Sequence, residues 1–323
     1  MQIVQYPDRK DWKKLLQRPV FDTSSLESRV ANILKEIKEN GDEAVRRFTL
    51  MFDKISVNSL EISPAEIAEA VALVPEELKV AIQQAKSNIE RFHRSQVSEV
   101  AIIETMPGVK CWRRSLAIEK VGLYIPGGTA PLFSTILMLG IPAVIAGCRE
   151  IILCSPPGKD GKLHPAIIYA ARLVGITKIY KVGGIQAIGA MVYGTEIIPQ
   201  VYKIFGPGNQ YVTCAKQLVQ RDGVAIDMPA GPSEVAVYAD ATADPAFVAA
   251  DLLSQAEHGV DSQVVLVTTE PSMVSKVREE VERQLQLLPR KDIAVKALEN
   301  SKIILVNSAT EAMDILNEYA PEH

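Results

Sequence analysis

Near its last residue the chain reads N-E-Y-A-P-E-H, so a carboxylate and an imidazole, Glu322 and His323, stand side by side just past a helix stop at Pro321. Imidazole is the side chain that ordinarily exchanges protons near neutral pH, and a neighbouring carboxylate could activate water. A loop after a helix leaves both side chains free to face a cleft; a merely polar loop is the other reading. Further back, Q-A-E-H places Gln255 and His258 three apart, on one face of a predicted helix that Gly259 stops. Two such donors could bridge a metal, although zinc takes three or four ligands, and His258 could equally cap the helix against its dipole. Together the two motifs point to metal-assisted acid–base chemistry.

Three glycine loops stand between predicted strands and helices: Gly127-Gly128, Gly183-Gly184 and Gly206-Pro207-Gly208. Glycine lets the backbone turn tightly against a ligand, and a helix N-terminus favours anions. None of them is G-x-G-x-x-G, so they read either as a nucleotide cradle or as ordinary turns. The run A-I-D-M-P-A-G-P-S-E-V at 225–235 is a rigid polar loop that offers Ser233 and Glu234 to a ligand, or only to the turn. Cys148 and Cys154 flank a strand, as aldehyde-reactive thiols or as inert core residues. His93 and His164 read as surface or capping residues.

The elements that must position these groups follow from periodicity. Leu26, Val30, Ile33, Leu34 and Ile37 predict a helix over 24–40 closed by Gly41. Ser63-Pro64-Ala65-Glu66 is a capping box, and a charge-studded helix follows over about 75–96. Residues 100–121 alternate like strands around a Pro107-Gly108 turn. Then come four strand–loop–helix units, with strands V-G-L-Y-I, I-I-L-C, K-I-Y-K-V and K-I-F. Such alternation predicts a parallel, doubly wound sheet whose strand-to-helix loops share one edge, where ligands bind. Strands at 234–240, 264–268 and 302–306 alternate with helices opened by Asp244-Pro245, Pro271 and a Ser308/Glu311 capping box. They predict a second α/β domain.

A length of 323 residues suits two domains; 47% hydrophobic and 23% charged residues suit a soluble globular protein. The net charge of −4 gives no footprint for nucleic acid, and Trp112-Arg113-Arg114 reads as a solvated strand face. The most apolar stretch, 132–147, is broken by Pro142 and is too short to span a membrane. The N-terminus lacks the apolar core of a signal peptide, and the four cysteines show no C-x-x-C spacing. A reduced, cytoplasmic protein is expected.

In order along the chain, G-L-Y-I-P-G-G, G-P-G-N-Q-Y-V-T-C-A-K, I-D-M-P-A-G-P-S-E-V, L-L-S-Q-A-E-H-G and N-E-Y-A-P-E-H resemble the histidinol dehydrogenase family. The resemblance implies oxidation of L-histidinol to L-histidine through L-histidinaldehyde with two NAD, the last step of histidine biosynthesis. It implies zinc on Gln255 and His258, acid–base roles for Glu322 and His323, and NAD contacts at Tyr124, Gln186 and Asn209. Ser233, Gln255, His258 and His323 would face the substrate. It also implies an α/β fold of two Rossmann-like doubly wound domains, one inserted in the other, with a helical N-terminal region, in a domain-swapped homodimer. The expected boundaries are an N-terminal segment at 1–20, one domain from 21–123 and 235–323, and an inserted NAD-binding domain at 124–234. Family members continue past A-P-E-H and there supply an Asp and a His to the zinc. This chain alone is therefore expected to be an inactive catalytic body with altered assembly. A non-catalytic remnant that still binds a ligand or partner is the alternative.

Overall fold

The computed structural model describes residues 1–18, 24–127, 131–229 and 233–323. The elements run from strand Gln2–Gln5 (β1) through helices Trp12–Leu15 (α1), Ser24–Asp53 (α2), Pro64–Leu73 (α3) and Glu76–Arg94 (α4) to a hairpin of Ile102–Met106 (β2) and Val109–Trp112 (β3). Alternation follows: Lys120–Tyr124 (β4), Phe133–Ala146 (α5), Glu150–Ser155 (β5), Pro165–Leu173 (α6), Lys178–Lys181 (β6), Gly184–Tyr193 (α7), Lys203–Phe205 (β7), Gln210–Val219 (α8) and Ala225–Ile226 (β8). The chain closes with Glu234–Ala239 (β9), Pro245–Ala256 (α9), Gln263–Thr268 (β10), Pro271–Leu285 (α10), Lys291–Glu299 (α11), Lys302–Leu305 (β11) and Ala309–Tyr319 (α12).

These elements form two units, Met1–Phe21 with Ala230–His323, and Asp22–Pro229 inserted between them. The inserted unit holds a five-stranded parallel sheet in the order β6-β5-β4-β7-β8. That is the doubly wound order, and the direction of winding switches between β4 and β7. Strand alternation assigns the helices to faces. Leu123, Leu153 and Ile179 bury against α3, α4, α5 and α6. Their neighbours Tyr124, Cys154 and Tyr180 point the other way, into a core built with α2, α7 and α8.

The other unit carries a four-stranded parallel sheet, β1-β11-β10-β9. Here the period of two is clean. Val264, Leu266, Ile303 and Leu305 pack on α9, α10 and α11, whereas Val265, Val267, Ile304 and Val306 pack on Trp12, Leu16 and α12.

Three expectations change. The domain division differs from 21–123 with 235–323 and 124–234, because α2, α3 and α4 pack on the five-stranded sheet. The apolar face of α2 (Val30, Leu34, Ile37, Val45, Phe48) enters the same core as Ile188 and Val212, and Ala70 and Ile82 share the other core with Ile167. Helix α2 does not end at Gly41; it kinks there, at φ 50 and ψ −132, and resumes to Asp53. The N-terminal segment contributes an edge strand, with Ile3 in register with Ile303. The hairpin forms as expected and its strands are exposed throughout. Among the described residues, no helix is long and apolar enough to cross a membrane.

Candidate functional site

At the C-terminal edge of the five-stranded sheet, the ends of β4 and β5 and the starts of α6, α7 and α8 enclose a cavity of about 930 Å³ together with the end of α2. Tyr124, Gln186 and Asn209 all line it, each from a different strand-to-helix connection. Gly127 and Gly184 also contribute; Gly128 lies outside the described residues. This is the edge, and the switch point, at which doubly wound sheets take ligands.

Each of the three side chains is anchored. The Tyr124 hydroxyl accepts from the Gly184 N–H at 3.1 Å, which ties β4 to the start of α7. Burial pushes its phenol up to about 12. Asn209 caps α8, its Oδ1 accepting from the Tyr211 and Val212 N–H groups, both at 3.1 Å. Gln186 is buried, with Nε2 donating to Asp53 Oδ2 at 3.3 Å and Oε1 without a partner among the described residues. Burial raises the Asp53 carboxyl above its ordinary range.

The G-P-G-N loop is held by groups that sequence reading missed. Buried Lys216 donates to the Gly206 carbonyl at 2.8 Å and pairs with Asp227, whose other oxygen accepts from the Gly206 N–H at 2.8 Å. Gly206, at φ 133, passes so close to the Tyr124 carbonyl that any Cβ would overlap it. The signal for Lys216 was faint: a lone ammonium among Val212, Ala215 and Val219 on a buried helix face.

The remaining predicted residues lie in the other unit, at the N-terminal edge of its sheet. Ser233 immediately precedes β9, its carbonyl accepting from the Gln263 N–H at 3.2 Å. His323 accepts from the Ala236 N–H at 2.9 Å through its backbone oxygen, so A-P-E-H runs alongside β9 with Glu322 and His323 exposed. Residues 230–232 of the proline-rich loop lie outside the described residues. Arg18 anchors this edge. Its guanidinium pairs with buried Glu234, donates to the Tyr319 and Ala320 carbonyls at 2.9 Å each, and lies 5.0 Å over the Tyr319 ring. The Tyr319 hydroxyl in turn donates to Gln263 Oε1 at 2.9 Å.

Gln255 and His258 differ in burial, and only Gln255 lies within the helix. Helix α9 ends at Ala256, leaving Gln255 buried in its last turn and His258 exposed beyond it, with the His258 N–H on the Gln255 carbonyl at 3.2 Å. Glu257 and His258 form a turn that ends the helix. Among the described residues, no three His, Cys, Asp or Glu side chains cluster as a metal shell. These residues therefore offer two donors to zinc and do not complete its coordination.

Other candidates resolve simply. Cys154 is fully buried and its thiol is pushed well above the usual range, which removes it as a nucleophile for aldehydes. His164 caps α6, its Nδ1 accepting from the Ala166 N–H at 3.2 Å, and His93 sits in the last turn of α4.

A doubly wound sheet with a large cavity at its switch point is the arrangement that nucleotide-binding enzymes use. A family model described as histidinol dehydrogenase matches residues 16–323. Histidinol dehydrogenase from Bacteroides fragilis is 61% identical over 323 residues, covering 100% of this chain and 76% of that protein. The Bacteroides thetaiotaomicron relative is 59% identical with the same coverage, 100% and 76%. The crystal structure of histidinol dehydrogenase from Elizabethkingia anophelis superposes with a TM-score of 0.96 at 55% identity, over 100% of this chain and 75% of that one. The chain belongs to the histidinol dehydrogenase family, oxidoreductases of histidine biosynthesis.

Proposed function

We propose that this protein catalyses the NAD-dependent oxidation of L-histidinol to L-histidine by way of the aldehyde. The observation that carries this reading, beyond family membership, is that Tyr124, Gln186 and Asn209 line one cavity although they come from three separate connections. The cavity is roomy enough for a nucleotide.

NAD, one molecule for each of the two oxidation steps, would supply the hydride acceptor. His323, exposed at the end of A-P-E-H, takes the proton from the substrate hydroxyl at an imidazole nitrogen. Glu322 takes a proton from the water that adds to the aldehyde carbon. Ser233, at the mouth of β9, hydrogen-bonds the substrate. Gln255 and His258 would hold zinc, whose chemistry is that of a template orienting the amino alcohol, with further donors completing the shell. A homodimer in the cytoplasm fits the same reading. The exposed, apolar Ile102, Ile103, Met106 and Trp112 of an isolated hairpin favour a covering partner, and the four free cysteines suit a reducing compartment.

The test is NADH production from L-histidinol, NAD and zinc, measured beside NAD affinity. His323→Ala is expected to lower turnover by about 10²–10⁴-fold with NAD affinity unchanged. Gln186→Ala is expected to weaken NAD itself. Affinity insensitive to changes at Tyr124, Gln186 and Asn209 would overturn the cavity assignment, and NAD binding without turnover is the outcome expected of an inactive catalytic body or a non-catalytic remnant.

A further inference from the structure

We infer that Asp53 sets the choice of dinucleotide in the cavity, favouring free ribose hydroxyls over a 2′-phosphate and so NAD over NADP. The inference rests on the proposal that the cavity holds a dinucleotide.

Doubly wound nucleotide sheets usually read the ribose with an acid at the end of the second strand. Here that strand, β5, ends at Ser155 and continues into Pro156-Pro157, with no acid. The next carboxylate on the wall, Asp160, is exposed and accepts from the Lys162 N–H at 3.1 Å within its own turn. Asp53 supplies the missing charge from elsewhere. It is the last residue of α2, outside the sheet and its connections, and lies half-buried in the cavity wall.

Its bonding is incomplete. Among the described residues Asp53 has no ion-pair partner, and its hydrogen bond is the one from Gln186 Nε2 at 3.3 Å. A carboxylate only accepts, so this contact dictates the orientation of the Gln186 amide: Nε2 toward Asp53, Oε1 away. Gln186 is 1% exposed and its buried Oε1 has no donor among the described residues. Asp53 is thus an under-used acceptor in the cavity wall, which is the complement of hydroxyl donors. A phosphate brings no donors there and meets a like charge, a juxtaposition that costs several kcal/mol at an interface. Of the cations on the wall, Lys162 is paired with Glu69 at 2.7 Å.

Calorimetric titration of the chain with NAD and with NADP tests the inference, using wild type, Asp53→Asn and Asp53→Ser, each checked for folding by its circular-dichroism melt. The wild type is expected to prefer NAD by on the order of 100-fold, and each variant to narrow that ratio about tenfold or more, mainly through tighter NADP. A merely structural role would weaken both ligands alike and leave the ratio unmoved, and that result, or a wild type indifferent to the 2′-phosphate, overturns the assignment. Failure of the wild type to bind NAD at all is a separate outcome, which removes the dinucleotide reading on which the inference stands.

Discussion

Tyr124 shows how burial turns a single hydroxyl into a pH-dependent constraint. Its phenol is 4% exposed and pushed up to about 12, against an ordinary 10.0. A raised acid binds its proton more tightly in the folded chain than in the unfolded one. The stabilisation is therefore fully present below about pH 10 and is lost as pH rises through about 12. Tyr180, Tyr193 and Tyr319 are raised by burial as well, so urea unfolding becomes easier across this range for several groups at once, and Tyr124→Phe is expected to reduce the slope by on the order of 2 kcal/mol rather than abolish it. Arg18 matters for the opposite reason, since it satisfies a buried acid. Arg18→Ala would strand Glu234, and because Arg18 itself is partly solvated the expected loss is about 2 kcal/mol in urea unfolding, with the P-E-H segment released from β9. Tyr124, Gln186 and Asn209 were legible in the chain because they sit inside motifs. Arg18 and Asp53 lie outside the motifs, and Lys216 and Asp227 lie within them without a visible role, because a charged residue is informative only once its partner is known, and Arg18 and Asp53 have theirs far along the chain at Glu234 and Gln186.

At the scale of elements, Gly41 decides the course of α2. Its φ of 50 suits glycine, and a Cβ there would come within 2.6 Å of the Glu196 carboxylate. That carboxylate accepts from the Asp42 N–H at 2.9 Å, capping the second half of the kinked helix, and the bond holds the Glu196 carboxyl below its usual range. Gly41→Ala is expected to cost about 1–3 kcal/mol, read as a lowered Tm, and to shift the end of α2 where Asp53 meets Gln186. Local chemistry made most helix starts legible: Ser63 closes a full capping box with Glu66, and Asp244 accepts from the Ala246 N–H. Ser308 caps α12 as expected, but Glu311 reaches back to the Asn307 N–H rather than completing the box at Ser308. Continuation through Gly41 was not legible, because the same glycine ends one helix or kinks another depending on what faces it. Strand β1 was hidden too, since four residues carry no period and only β11 makes them a strand.

At the scale of the molecule, the four apolar cores respect the two units: none draws buried residues from both. A chain of residues 22–229 is therefore expected to fold alone, with a cooperative melt and wild-type affinity for NAD; a non-cooperative melt would show that the unit depends on the rest. Taken by itself, the sequence determined the α/β class, the doubly wound pattern, the order of the motifs and the identity of the groups able to carry protons or bind a nucleotide. These depend on periodicity, capping and residue chemistry, all of which act over a few positions. Only the tertiary structure decided which sheet the N-terminal helices cover, that three connections close on one cavity, that Gln255 turns inward while His258 turns out, and that Asp53 stands against Gln186. Those outcomes depend on which apolar faces bury one another and on which distant partners meet a buried charge, and neither is encoded in any single stretch of chain.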